Sequence, residues 1–224
     1  MLRGVEEAGP GEARVPRRGH RVVATASRLG EIHEESANVV VWRRHLPGAV
    51  RAWLEEVTRL ARFQVDLAID QDGFGASDLV SIVPPSPGRR WLEADLRKLI
   101  RRFARLACAQ RVKTSFGVVE TNACRKLHAD WVPLRLLCTY AGPGTEWVPN
   151  HAVQRDAMVD PLPCPDAANA AIVPDPGAIR RVAAGDVVVM KGENYPGNAG
   201  RGAVHRSPPV ESTGERRLVL KLSV

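Results

Sequence analysis

The stretch LHADWVPLRLLCTYAGPGTEW, residues 127–147, decides the fold. Its centre, Val132 to Tyr140, is an apolar run that stops at a Gly142-Pro143-Gly144 turn, and such a run between turn signals reads as a strand. Similar runs surround it: Thr114–Thr121 (TSFGVVET), Asp186–Met190 (DVVVM), Val204 onward, and Arg216–Val224 (RRLVLKLSV). Short strands separated by Gly/Pro loops predict a sandwich or small barrel over 114–224. Residues 149–179, rich in Pro, Ala and Asp, read as an irregular insertion, either a lid over a substrate or a surface excursion.

The front half has another texture. Residues 1–20 are poor in large apolar side chains and predict disorder. Arg21–Ser27 and Val39–Trp42 read as short strands, and Val50, Trp53, Leu54, Val57 and Leu60 recur at helical spacing over 48–63. Ile69–Ser77 reads as a turn-rich loop, and Pro84–Gly88 is the sharpest break. A long helix follows at about 89–110, with Leu92, Leu96, Leu99, Ile100, Phe103 and Leu106 on one face. The expected architecture is therefore α+β: a single domain over 21–224, with 21–113 mostly helical support and 114–224 the β core.

Composition limits the function. The chain has 224 residues and a net charge of +7, with 44% hydrophobic residues, as in an ordinary globular protein. No stretch approaches the roughly 18 apolar residues of a membrane span, and the N-terminal residues lack the apolar core of a secretory signal, so a cytoplasmic location and no membrane partner are expected. Residues 89–113 hold nine cations against two anions, which equals the whole excess. Those charges fall on the solvent faces of a helix, so nucleic acid as a partner gains little from them. The four cysteines form no CxxC pair, and zinc held through Cys124, Cys138 or Cys164 with a histidine matches no standard spacing.

The chemistry gathers in the β half. His128 and Asp130 are two apart beside a strand, where alternate side chains share a side. His205, 77 residues later, supplies a second imidazole. Two imidazoles and one carboxylate make the facial triad of non-heme Fe(II) oxygenases. A cation on a neighbouring strand would then pair with the far carboxylate of a dicarboxylate co-substrate.

The order of these parts resembles the 2-oxoglutarate/Fe(II) dioxygenase superfamily, in its prolyl-hydroxylase-like branch: HAD, a strand ending at Tyr140, a GPGTEW turn, Gly185-Asp186 before a strand, His205 followed by Pro208-Pro209-Val210, then Gly214-Glu215-Arg216. That resemblance covers about residues 114–224. Over nearly the whole chain, the pattern HADW…RLLCTYAGPGTEW…HRSPP…ERRL is similar to a bacterial family of unknown function. The superfamily resemblance implies a double-stranded β-helix, a jelly-roll or cupin-like barrel braced by the N-terminal helices. It also implies Fe(II) on His128, Asp130 and His205, with 2-oxoglutarate as co-substrate. It assigns the co-substrate arginine to Arg216, which alternates onto the face of Leu218, Leu220 and Leu222, ahead of Arg217 on the face of Val219 and Lys221. Thr139 and Tyr140 stand where such enzymes place a hydroxyl near the co-substrate, and Glu146 and Trp147 where the barrel mouth meets substrate. No catalytic residue beyond the metal ligands is expected, and the primary substrate is unassigned. Two other readings share these residues: a zinc- or iron-binding sensor without turnover, and a nucleic-acid binder that uses the helix at 89–113.

Overall fold

Two valine-rich segments, Ala37–Trp42 and Val187–Lys191, are buried at every position. They lie side by side at the centre of the molecule, so both of their faces are covered, which is why they read as continuous apolar runs rather than alternating ones. The computed structural model describes residues 19–121, 124–159 and 162–224. In chain order it contains β1 (Gly19–Val23), β2 (Ala37–Trp42), α1 (Gly48–Leu60), β3 (Gln64–Asp70), α2 (Pro87–Leu106), β4 (Arg111–Val119), β5 (Leu134–Ala141), β6 (Glu146–Val148), α3 (Asp156–Val159), α4 (Pro165–Ile172), β7 (Arg180–Arg181), β8 (Val187–Lys191), β9 (Val204–Arg206) and β10 (Arg217–Ser223). The expected disorder of the N-terminus falls, except for Gly19 and His20 in β1, outside the described residues.

Seven strands form one large sheet in the order β1-β2-β8-β5-β10-β4-β3, and β7-β6-β9 form a small one. Among the described residues only the β1–β2 pair is parallel. Helices α1 and α2 cover one face of the large sheet. There Leu92, Leu96, Leu99, Ile100 and Phe103 of α2 meet Val40, Leu136, Cys138, Leu218 and Leu220 in a single core. Each such side chain contributes about 1.5–3 kcal/mol on burial. Ser86 sets the start of α2, its hydroxyl accepting from Arg89 N at 3.0 Å, with Pro87 in the first turn. The small sheet packs on the opposite face through Val41, Leu137, Trp147, Val188 and Met190. Behind the small sheet, Ile172 and Val173 of the 149–179 segment close a third cluster with Leu127, Val148 and Val204.

The front half supplies strands beside its helices, with β1, β2 and β3 joining the large sheet. Strand β3 has a strict period of two in QVDLAID but stands at the sheet edge, half exposed, where weak hydrophobicity hides it. The 149–179 segment is not irregular: it holds α3, α4 and two 3₁₀ turns, and its apolar residues pack on the small sheet. Among the described residues, no helix is long and apolar enough to cross a membrane.

Candidate metal centre

His128 and His205 face each other across a single antiparallel bridge, His128 N donating to His205 O at 3.1 Å and His205 N to His128 O at 2.9 Å. Residues opposed in this way carry their side chains on the same side. The approach to His128 is clamped by Asn169 of α4, whose Oδ1 accepts from Leu127 N at 2.7 Å and whose Nδ2 donates to Arg125 O at 3.1 Å. Asp130 is held from below by Glu193 N, which donates to its carbonyl at 2.8 Å. That approach requires Gly192, where a Cβ would stand 2.0 Å from Val132 O.

One ligand atom from each of His128, Asp130 and His205 lies within 4.8 Å of the others. Nε2 of His128 is 3.7 Å from Asp130 Oδ1, and Nε2 of His205 is 3.4 Å from Oδ2. Both Nδ1 atoms sit on backbone carbonyls, His128 on Lys126 O at 2.8 Å and His205 on Ala203 O at 3.1 Å. A carbonyl only accepts, so each Nδ1 bears a proton, and Nε2 is the atom each ring turns toward the carboxylate, where its lone pair would serve as the ligand once a metal replaces any proton there. Burial and the neighbouring His205 ring hold His128 below its ordinary value, favouring the neutral ligand form. Burial alone would raise the Asp130 carboxyl, but hydrogen bonds from His205 and from Arg135 Nε, the latter at 2.6 Å, hold it well below the usual carboxylate range. Two imidazoles presenting Nε2 and one ionised carboxylate form a donor set that fits a divalent transition metal such as Fe(II).

The cluster opens on a cavity of about 270 Å³. Its far wall is β10, which presents Arg217, Val219 and Lys221. Arg217 is 2% exposed. Its guanidinium donates to Pro143 O at 2.6 Å, Ser207 Oγ at 3.0 Å, and Thr139 Oγ1 and Thr145 Oγ1 at 3.2 Å each. No carboxylate of the described residues lies within 4 Å of it. Burial pushes this cation down to about 10.

The alternation read for β10 is correct, but its inward face is the other one. Leu218, Leu220 and Leu222 point into the helix-packed core, and Arg216 goes with them. Arg216 donates to Arg59 O and Ala61 O at the end of α1 and to Glu120, away from the cavity. The cavity-facing position is therefore that of Arg217. Thr139 joins it, whereas Tyr140 is fully buried on the helix side with its hydroxyl donating to Asp95 at 2.8 Å. Glu146 does not line the cavity. Its carboxylate is taken up by Arg181 and by Arg206 Nε, the latter at 2.7 Å. Trp147 is buried between the sheets beside Val182 rather than at a mouth. Sequence reasoning passed over Arg135, Thr145, Ser207 and Lys221. The one signal available was parity, since Lys221 repeats at Arg217 + 4 on β10.

Fold and centre together define an α+β protein of two facing sheets with an open two-histidine, one-carboxylate cluster. The chain belongs to the family described as Protein of unknown function (DUF1826), whose model matches residues 24–223. No curated protein matches it significantly. Among solved structures it is similar to a Pseudomonas putida prolyl-4-hydroxylase, at 12% identity over 89% of this chain and 97% of that one, with a TM-score of 0.43. It is also similar to the Fe(II)/α-ketoglutarate-dependent dioxygenase TqaL (12% identity, 88% and 85% covered, TM-score 0.47). A third is AviO1 from Streptomyces viridochromogenes Tue57 (16% identity, 90% and 97% covered, TM-score 0.41). At these TM-scores the overlaps carry no functional argument, which rests on the site.

Proposed function

We propose that the protein is an Fe(II)/2-oxoglutarate-dependent oxygenase on a double-stranded β-helix. The observation that carries this reading is a pairing within one cavity: a converged His128/Asp130/His205 cluster, and a buried guanidinium, Arg217, without a carboxylate partner among the described residues. A buried cation bonded only to hydroxyls and a carbonyl is under-compensated, and an incoming carboxylate would complete it.

His128, Asp130 and His205 would hold the metal, and Arg217, with Thr139 and Ser207 alongside, would take the far carboxylate of 2-oxoglutarate. With both bound, the centre would supply oxidative decarboxylation of 2-oxoglutarate coupled to oxidation of a substrate C–H bond by O₂. The chain's own part is positional. The two carbonyl-anchored imidazoles fix the cluster before metal arrives, Arg135 keeps Asp130 ionised, and Val119, Leu137 and Val219 keep part of the cavity wall apolar. The test is anaerobic difference spectroscopy with Fe(II) and 2-oxoglutarate, followed by assay of succinate in air. A chelate charge-transfer band and succinate formation, both lost in His128→Ala, are expected. A silent zinc centre that binds no 2-oxoglutarate would refute the reading.

A further inference from the structure

A second cavity of about 700 Å³ shares no lining residue with the metal centre and is bounded by Val22 of β1, Val41 of β2 and the β7 arginines. Its wall carries Arg43, His45, Arg51, Arg180 and Arg181. Among the described residues of that wall the one acid is Asp186, whose two oxygens accept from Arg44 N at 3.2 Å and Ala183 N at 3.1 Å. Arg44 itself is turned to Asp95 at 2.7 Å. Among the described residues, Arg43, Arg51 and Arg180 have no carboxylate within 4 Å, and Arg181 has only Glu146. The first turn of α1 borders the same space at Arg51, which adds the positive end of a helix.

These cations are far apart in sequence and are brought to one concave wall by the fold, where each repels the others. The volume lies within the range of small-molecule sites. Several guanidinium forks on one wall suit an oxyanion with several charged oxygens, which phosphate groups provide and a single carboxylate does not. A strip for a polymer would be flat and continuous, whereas this is a cavity closed on its inner side by Trp147 and Val182. We propose that this cavity binds a phosphorylated small molecule of nucleotide size through Arg43, Arg51, Arg180 and Arg181. Glu146 competes with the ligand for Arg181.

Isothermal titration of the full chain at physiological ionic strength, with ADP, pyrophosphate, citrate and a short single-stranded oligonucleotide, tests this. ADP and pyrophosphate should bind saturably. The Arg43→Gln/Arg51→Gln double variant, altered only at exposed positions and expected to melt like the parent, should weaken them by about 100-fold, or about tenfold per charge. Glu146→Gln should tighten them by freeing Arg181, and Arg217→Gln should leave them unchanged. No saturable phosphate binding, equal binding by the double variant, no gain in Glu146→Gln, or loss in Arg217→Gln instead would each overturn the proposal. So would citrate binding as tightly as pyrophosphate, or the oligonucleotide binding more tightly than ADP.

Discussion

Replacing Arg217 by methionine should separate co-substrate binding from stability. Burial pushes the guanidinium down to about 10, which corresponds to about 3 kcal/mol against the cation in the folded chain. Four hydrogen bonds, to Pro143 O, Ser207, Thr139 and Thr145, act in the other direction at about 1 kcal/mol each. The two nearly cancel, and methionine fills much of the same volume. The ligand-free variant should therefore lie within about 1 kcal/mol of the parent, a change of about 2–4 °C in Tm. Binding has no such compensation. Losing one partner of a buried charge pair costs about 3 kcal/mol or more, at least two orders of magnitude in Kd for 2-oxoglutarate. Calorimetric unfolding of the free chain and anaerobic titration of the Fe(II)-loaded protein read the two quantities. Arg216→Gln is the control with the opposite profile: it loses bonds to the end of α1, so Tm falls while 2-oxoglutarate affinity holds. A 2-oxoglutarate Kd within fivefold of the parent in Arg217→Met, or a collapse of its Tm, would refute the reasoning.

Asp130→Asn removes the ionised member of the cluster and leaves Arg135 unpaired, so Fe(II) affinity measured by competition with a chelator should fall more than about 100-fold. Tyr140→Phe deletes a buried hydroxyl bonded to Asp95 on the helix side; it should cost about 1–2 kcal/mol in denaturant unfolding and leave 2-oxoglutarate binding unchanged. Burial raises the Glu146 carboxyl, but Arg181 and Arg206 outweigh it and hold it below 4.5. With the folded value depressed, its stabilisation is complete above about pH 4.5 and is lost as pH falls through the folded value. The acid limb of a Tm–pH curve should therefore flatten in Glu146→Gln.

Much of the fold was legible wherever one physical signal was strong. Helix α2 was legible by its long apolar stripe, which is a buried face in the structure, whereas its Ser86-Pro87 start lay inside the stretch read as a break. β2 and β8 were visible because burial on both sides demands unbroken apolar runs. The misses share a cause. β3, β6 and β7 are short or edge strands whose partners lie far off in sequence, so their pairing is fixed by tertiary contact and not by local pattern. The helices of 149–179 were obscured by proline and alanine, which signal breaks locally, although their apolar residues serve a core formed with Leu127, Val148 and Val204.

The site shows a subtler limit. The two-residue spacing of His128 and Asp130 and the distant His205 were enough to nominate a cluster, and the fold brings those three together. The arginine was misplaced by a rule that is sound for a one-sided sheet: the apolar face of a strand points inward. β10 has two interiors. One is the dry helix-packed core that takes Leu218, Leu220 and Leu222, and the other is the cavity between the strands and the metal cluster, which takes Arg217, Val219 and Lys221. On the proposed function, a cavity for a charged ligand needs a cation in its wall, so the more polar face of such a strand would be the one that binds it. The same reasoning locates the second basic wall. Counting charge along the chain finds only the helix at 89–113, because Arg43 and Arg51 are separated from Arg180 and Arg181 by more than a hundred residues and meet only once the sheets are assembled.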